Sequence, residues 1–201
     1  MDATVLHEDS VFPVREAGIP INIKNTNLPE DPGTLIVDEN SKRSNTKVGS
    51  ITGIAGKKDF TVIAIEKNLL NTELGFCRKL LSILEMNSIS FENMPSGVDS
   101  VSLVISDSQI DGKLDGILDE IKRQCKPDSI EVYPNMALIA TVGRGMSKSR
   151  GVAAKVFEAL AKNDINIRMI DQGSSEINII VGVENSDFEK TIEAIYNKFM
   201  S

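Results

Sequence analysis

The nonapeptide GRGMSKSRG, residues 143–151, is the stretch whose residue types come closest to chemistry. It follows an apolar run at 136–142 and precedes a helical pattern at 152–161, the arrangement with which nucleotide sites begin. A dinucleotide loop requires GxGxxG and an acid about 20 residues on, closing the next strand. Here Gly143 and Gly145 are followed by the next glycine only at Gly151, although Asp171 does close the run NIRMI. That spacing argues against a dinucleotide. Other reactive groups are sparse. His7 has no nucleophile or carboxylate partner evident nearby, and a single histidine leaves no room for a histidine-based zinc site. Cys77 and Cys125 fall on apolar helical faces, make no CxxC pair, and read as reduced core thiols. No catalytic residue and no metal site is assigned.

Composition removes further classes. A net charge of −7 opposes binding to nucleic acid, and the absence of Trp with only 4% aromatic residues leaves few stacking platforms. No window approaches the roughly 18 apolar residues of a membrane span. The start, MDATVLHEDS, lacks the shape of a signal peptide, so the expected address is the cytoplasm.

The elements that would position the loop come in two copies. Residues 60–105 align with 136–181 at a constant offset of 76 without a gap, with identities such as Ala64/Ala140, Gly75/Gly151, Lys79/Lys155 and Gly97/Gly173. The apolar pattern agrees as well, for example at Val62/Leu138, Leu80/Val156, Leu103/Ile179 and Ile105/Val181. In the first copy FTVIAI is a strand, and 72–87 a helix with Phe76, Leu80, Leu81 and Leu84 on one face. ISFEN and SVSLVI are strands across a Pro95-Ser96-Gly97 turn, 113–125 is a second helix, and SIEVYP a fourth strand. This βαββαβ order is ferredoxin-like, an α+β fold. The second copy ends in a helix at 187–200 and is one strand short. VGSITGIAG, residues 48–56, supplies the missing strand, so the first copy (57–134) is inserted in the second (135–201). Before it lie the polar linker DENSKRSNTK, residues 38–47, and a separate segment, 1–37.

Between the two loops only the last glycine is shared, Gly75 and Gly151, each at a helix start. A missing Cβ there either lets an anion approach the free N–H groups of the first turn or merely permits a tight loop. A ferredoxin-like binder of metal or RNA would need CxxC or aromatic residues on the central strands; SVSLVI and EINIIV offer neither.

Several strings resemble a known family. AGIPI and PEDPGTLI within residues 5–36, NTELGF and FENMPSGVDSVS in the first copy, and GRGMSKSRGVAAKVF in the second resemble the C-terminal part of the aspartokinases. The resemblance implies the end of a kinase domain followed by two regulatory ACT domains, the first inserted in the second. The family phosphorylates L-aspartate with ATP to 4-phospho-L-aspartate, the first step toward lysine, threonine and methionine. Where the family reads GAKVLHP this chain reads DATVLHE, with Thr4 for the lysine and Glu8 for the proline. The phosphate-binding start of the kinase domain has no counterpart here. The expectation is therefore a regulatory portion with no kinase activity alone and no cofactor of its own, ATP and Mg belonging to a catalytic domain. The alternative is an active kinase assembled with a separate catalytic chain. Residues 1–37 then read as a helix-strand remnant: Val11, Phe12 and Val14, on a helix stopped by Gly18, would pack on a larger domain.

ACT domains pair side by side, which implies a homodimer and an amino-acid site at the glycine loop. The implied contacts are Leu70, Asn71, Glu73, Gly75, Phe76 and Cys77, with Glu92 and Asp99 (and Ser100 beside it) as acids for the ligand's cationic end. The equivalent loop of the second copy contributes Met146, Ser149, Gly151 and Val152, and Arg168 and Ser175 stand at the positions of Glu92 and Asp99. These acids favour L-lysine, with L-threonine second.

Overall fold

The computed structural model describes residues 8–37 and 51–200; His7, the 38–47 linker and residues 48–50 lie outside the described residues. The chain divides into two compact units, Met1–Val48 and Gly49–Ser201.

In the first unit, helix α1 (Glu8–Glu16) is stopped by Gly18, whose φ of +66° is left-handed. The N–H of Ala17 donates to the carbonyl of Pro13 and that of Ile19 to Val14, which satisfies the last helical carbonyls around the glycine. Strands β1 (Ile21–Ile23) and β2 (Thr34–Ile36) pair antiparallel. Phe12, Ile19 and Leu28 are exposed, whereas Val11 and Val14 are half-buried.

The second unit is one five-stranded antiparallel sheet. Its elements are β3 (Gly53–Glu66), α2 (Phe76–Met86), β4 (Ser100–Ser106), the one-turn α3 (Asp107–Ile110), α4 (Leu114–Cys125) and β5 (Ser129–Val142). They continue with α5 (Val152–Lys162), β6 (Met169–Asp171), β7 (Asn178–Glu184) and α6 (Phe188–Met200). The spatial order is β4-β3-β5-β7-β6. FTVIAI and SIEVYP are thus halves of two 14-residue strands rather than members of separate sheets. Pro134 does not end β5, because it falls at a bulge between the pairs Val62↔Tyr133 and Phe60↔Met136, where no ladder bond is needed. Asp59 and Asn135, at the 76-residue offset, both take left-handed φ at this bulge. Asp59 is held there by reciprocal bonds with Asn185, at 3.3 and 3.0 Å.

Residues 53–57 of β3 pair with 138–142 of β5, while 60–66 pair with β4 and with 129–136 of β5. Alternation along each strand divides the core. Ile63, Ile65, Leu103 and Ile105 pack under α2 and α4 with Leu80, Ile83, Ile117 and Ile121. Ala137, Ile139, Ile179 and Val181 pack under α5 and α6 with Val156, Leu160 and Ile195. The intervening residues Phe60, Val62, Val104, Met136 and Leu138 form a third cluster at the seam of the two repeats.

Three expectations are corrected. ISFEN is not a strand. Only single bridges, Asn93↔Val104 and Ser96↔Val101, flank β4, since Asn93 turns its side chain onto the Met94 N–H and Pro95 offers no donor. Likewise only the end of NIRMI is extended, as β6. The gapless alignment also slips. Ile63 pairs with Leu103 but Ile139 pairs with Val181, so the last strands correspond at an offset of 78. The two extra residues lie between Arg168 and Asn178. Arg168 N–H donates to Gly182 as Glu92 N–H does to Val104, whereas Gly143 N–H meets the carbonyl of Ile177 as Lys67 N–H meets that of Asp99. The counterpart of Asp99 is therefore Ile177, not Ser175.

Candidate functional site

The two glycine loops are built alike. A 3-10 turn at Leu70–Thr72 leads to Gly75 (φ +81°) and α2, and a 3-10 turn at Met146–Lys148 leads to Gly151 (φ +84°) and α5. Leu70, Phe76, Met146 and Val152 point inward and are buried, anchoring each loop to its core. Neither glycine is forced by crowding. A Cβ at Gly75 would meet only Arg78 Nε, at 3.8 Å, and one at Gly151 nothing within 4 Å. What each position requires is the left-handed backbone. With glycine as N-cap neither helix start has a side-chain cap over its first-turn N–H groups, although at α2 the Phe76 N–H donates to the Glu73 carbonyl at 3.4 Å.

Polar side chains then make the loops different. In the first, Asp99 Oδ1 accepts the N–H of Leu69 at 2.9 Å, and Asp128 Oδ2 accepts that of Asn68 at 2.6 Å. Glu73 accepts from Lys79 at 3.0 Å and lies 3.2 Å from Lys67 Nζ; these two ammonium groups, Lys79 foremost, hold its carboxyl below the ordinary range. Lys67 also donates to the carbonyls of Cys125 (3.3 Å) and Lys126 (2.9 Å), capping the end of α4. The second loop replaces this set: Gly143 stands for Lys67, Ser149 for Glu73 and Ile177 for Asp99. Its basic residues Arg144, Lys148 and Arg150 give it the opposite charge character.

Of the residues expected at the site, Leu70, Asn71, Glu73, Gly75, Phe76 and Cys77 cluster at the first loop, and Asp99 with Ser100 joins them through Leu69 and the pair Glu66↔Ser100. Glu92 does not. Its N–H bonds Val104, four strand residues from Ser100, or about 13 Å along β4. The two acids therefore do not converge on one ligand within a chain. Sequence reasoning missed Lys67 and Asp128; Lys79 was visible only as the identity with Lys155. Among the described residues no group of three His, Cys, Asp or Glu side chains is placed to hold a metal ion, and no described helix is long and apolar enough to cross a membrane.

Comparison with known proteins bears on this geometry. A family model described as "ACT domain" matches residues 139–199. The chain is 37% identical to Aspartokinase 3 of Bacillus subtilis, over 98% of its own length and 43% of that protein. It is 68% identical to the crystal structure of Clostridium acetobutylicum aspartate kinase, with a TM-score of 0.89 over 97% of this chain and 45% of that one. Aspartokinase III of E. coli, in a crystal structure with lysine and aspartate, is 25% identical with a TM-score of 0.76, over 98% and 42% of the two chains. The chain spans less than half the length of these relatives. Over nearly its whole length the chain is similar to the C-terminal part of aspartokinases, with the ACT-domain match in its second repeat.

Proposed function

We propose that this chain is the effector-sensing part of an aspartokinase and that the loop at Gly75 binds a feedback amino acid, L-lysine in preference to L-threonine. One observation carries the reading: in the first repeat the acid Asp99 holds the entry of the loop that leads to a helix start without a side-chain cap, suited to a carboxylate, while the second repeat has Ile177 in its place. Asp99 gives Oδ1 to Leu69 and keeps Oδ2 for an ammonium group. The lysine complex of the E. coli relative supports the choice of ligand. Glu92 serves the same ligand only from a second copy in a side-by-side dimer. On this reading residues 1–201 by themselves do not phosphorylate aspartate, and ATP and its Mg belong to a catalytic domain.

Calorimetry with L-lysine and L-threonine tests the first part: saturable heat with lysine supports it, and heat with neither amino acid refutes it. Aspartate-dependent ATP consumption tests the second, and turnover by the purified chain overturns it. Turnover that appears only when a catalytic aspartokinase chain is added supports a separate-subunit assembly.

A further inference from the structure

At the seam of the repeats lies a cavity of about 260 Å³, lined by Val62, Ala64, Ser102 and Tyr133 from the first repeat and by Met136, Arg168 and Met169 from the second. Its floor follows from the register. Ala64 lies directly opposite Ser102, and the two small side chains leave a hollow between their larger neighbours on that face, Val62 and Val104. The second repeat has no such hollow, because the counterpart of Ser102, two residues beyond the 76 offset, is Ile180. Val62, Ala64, Met136 and Met169 supply an apolar, polarisable part of the lining, and Ser102, Tyr133 and Arg168 the polar part. At this volume the cavity has room for about nine water-sized groups.

The one cation on the wall is Arg168. Its guanidinium carbon sits 4.9 Å from the centre of the Tyr133 ring, which orients the group, and Nη1 makes only a long contact of 3.4 Å with the half-exposed Glu184. A guanidinium has five N–H donors, so most of its capacity remains for a ligand. Glu131 is engaged by the Tyr133 hydroxyl. A hollow with an apolar body, a hydroxyl at its floor and an oriented guanidinium on its wall suits one chemistry. We propose that it binds a short branched aliphatic carboxylate, with the carboxylate on Arg168, the hydrocarbon on Val62, Ala64 and the two methionines, and contacts to both repeats. This site is separate from the glycine loop and does not depend on the effector reading.

The seven methionines provide the test. With methyl-13C methionine, titration of the full chain with 3-methylbutanoate is expected to shift the Met136 and Met169 methyl resonances saturably and to leave Met86 and Met146 in place. The uncharged 3-methylbutan-1-ol should bind at least about tenfold more weakly, the worth of one charge-assisted hydrogen bond. Arg168→Gln should remove that preference, and Ser102→Val, which fills the floor, should weaken acid and alcohol together. Absence of saturable shifts at Met136 and Met169, equal binding of acid and alcohol, or unchanged acid affinity in Arg168→Gln would overturn the proposal. Arg168→Gln alters a partly exposed side chain, so it decides the matter even where Ser102→Val fails to fold.

Discussion

Lys67 and Glu73 meet at 3.2 Å beside the first glycine loop, and the same ammonium group reaches the Cys125 and Lys126 carbonyls. One side chain thereby joins the end of β3, the turn into α2 and the last turn of α4. Lys67→Met removes all three contacts. Its loss from the two carbonyls should lower the melting temperature by about 2–4 °C, the shift that roughly 1 kcal/mol produces in a chain of this size. Calorimetric melting checks this, and an unchanged midpoint would show the clasp to be energetically idle.

The clasp also sets a pH dependence. Glu73 has a lowered carboxyl pKa in the folded chain, so the stability it adds is fully present above its ordinary value near 4.5 and disappears as pH falls through the lowered value. Glu158, hydrogen-bonded by Lys162 and then Lys198, is lowered to about 2 and behaves in the same direction. Urea midpoints measured between about pH 5 and pH 2 should therefore fall less steeply for Glu73→Gln and Glu158→Gln than for the parent chain.

Asp99→Asn keeps the oxygen that accepts the Leu69 N–H but removes the charge. The loop should stay in place while affinity for L-lysine falls about tenfold and affinity for L-threonine does not, as expected when a single charge-assisted contact is lost. Parallel titrations with the two amino acids separate these outcomes; equal losses would point to loop damage instead.

Thr141 lies on β5 at the position that Ile65 occupies in the first repeat, and its buried hydroxyl is unpartnered. Thr141→Val removes a desolvated polar group at nearly constant shape, so the variant should be more stable by about 1 kcal/mol. Equilibrium unfolding in urea reads the sign directly.

At Gly56 a Cβ would come within 2.6 Å of the Phe188 ring and 3.2 Å of the Leu138 carbonyl. Gly56→Ala should therefore cost about 1–3 kcal/mol by overpacking. The residue sits in β3 before the first repeat, yet the damage should appear as lost protection of amides in α6 on hydrogen exchange.

Much of this architecture was legible because helical and strand periods are strong signals. Leu80 and Leu84, or Ile117 and Ile121, lie on faces that any packing of these helices would bury. The two-residue slip after Arg168 escaped notice for the converse reason. A shift of two returns every strand side chain to the same face, so the apolar pattern of NIIVGV fits either register and only the hydrogen bonds decide. The misreading of Ser175 as the match of Asp99 followed from it. The loop glycines were readable from the duplicated Gly75 and Gly151. The contacts of Lys67 with Lys126 and of Asp128 with Asn68 span 59 and 60 residues, which no local spacing encodes.

Because β3 passes from one repeat into the other without interruption, the second repeat is paired with a strand segment that precedes the first repeat in the sequence. Cutting the chain at residue 135 would strand Leu138–Val142 without the neighbour formed by 53–57. A rearranged gene that encodes residues 135–200 followed by a short joint and 51–57 would restore that neighbour, and should yield a self-sufficient miniature of the second domain.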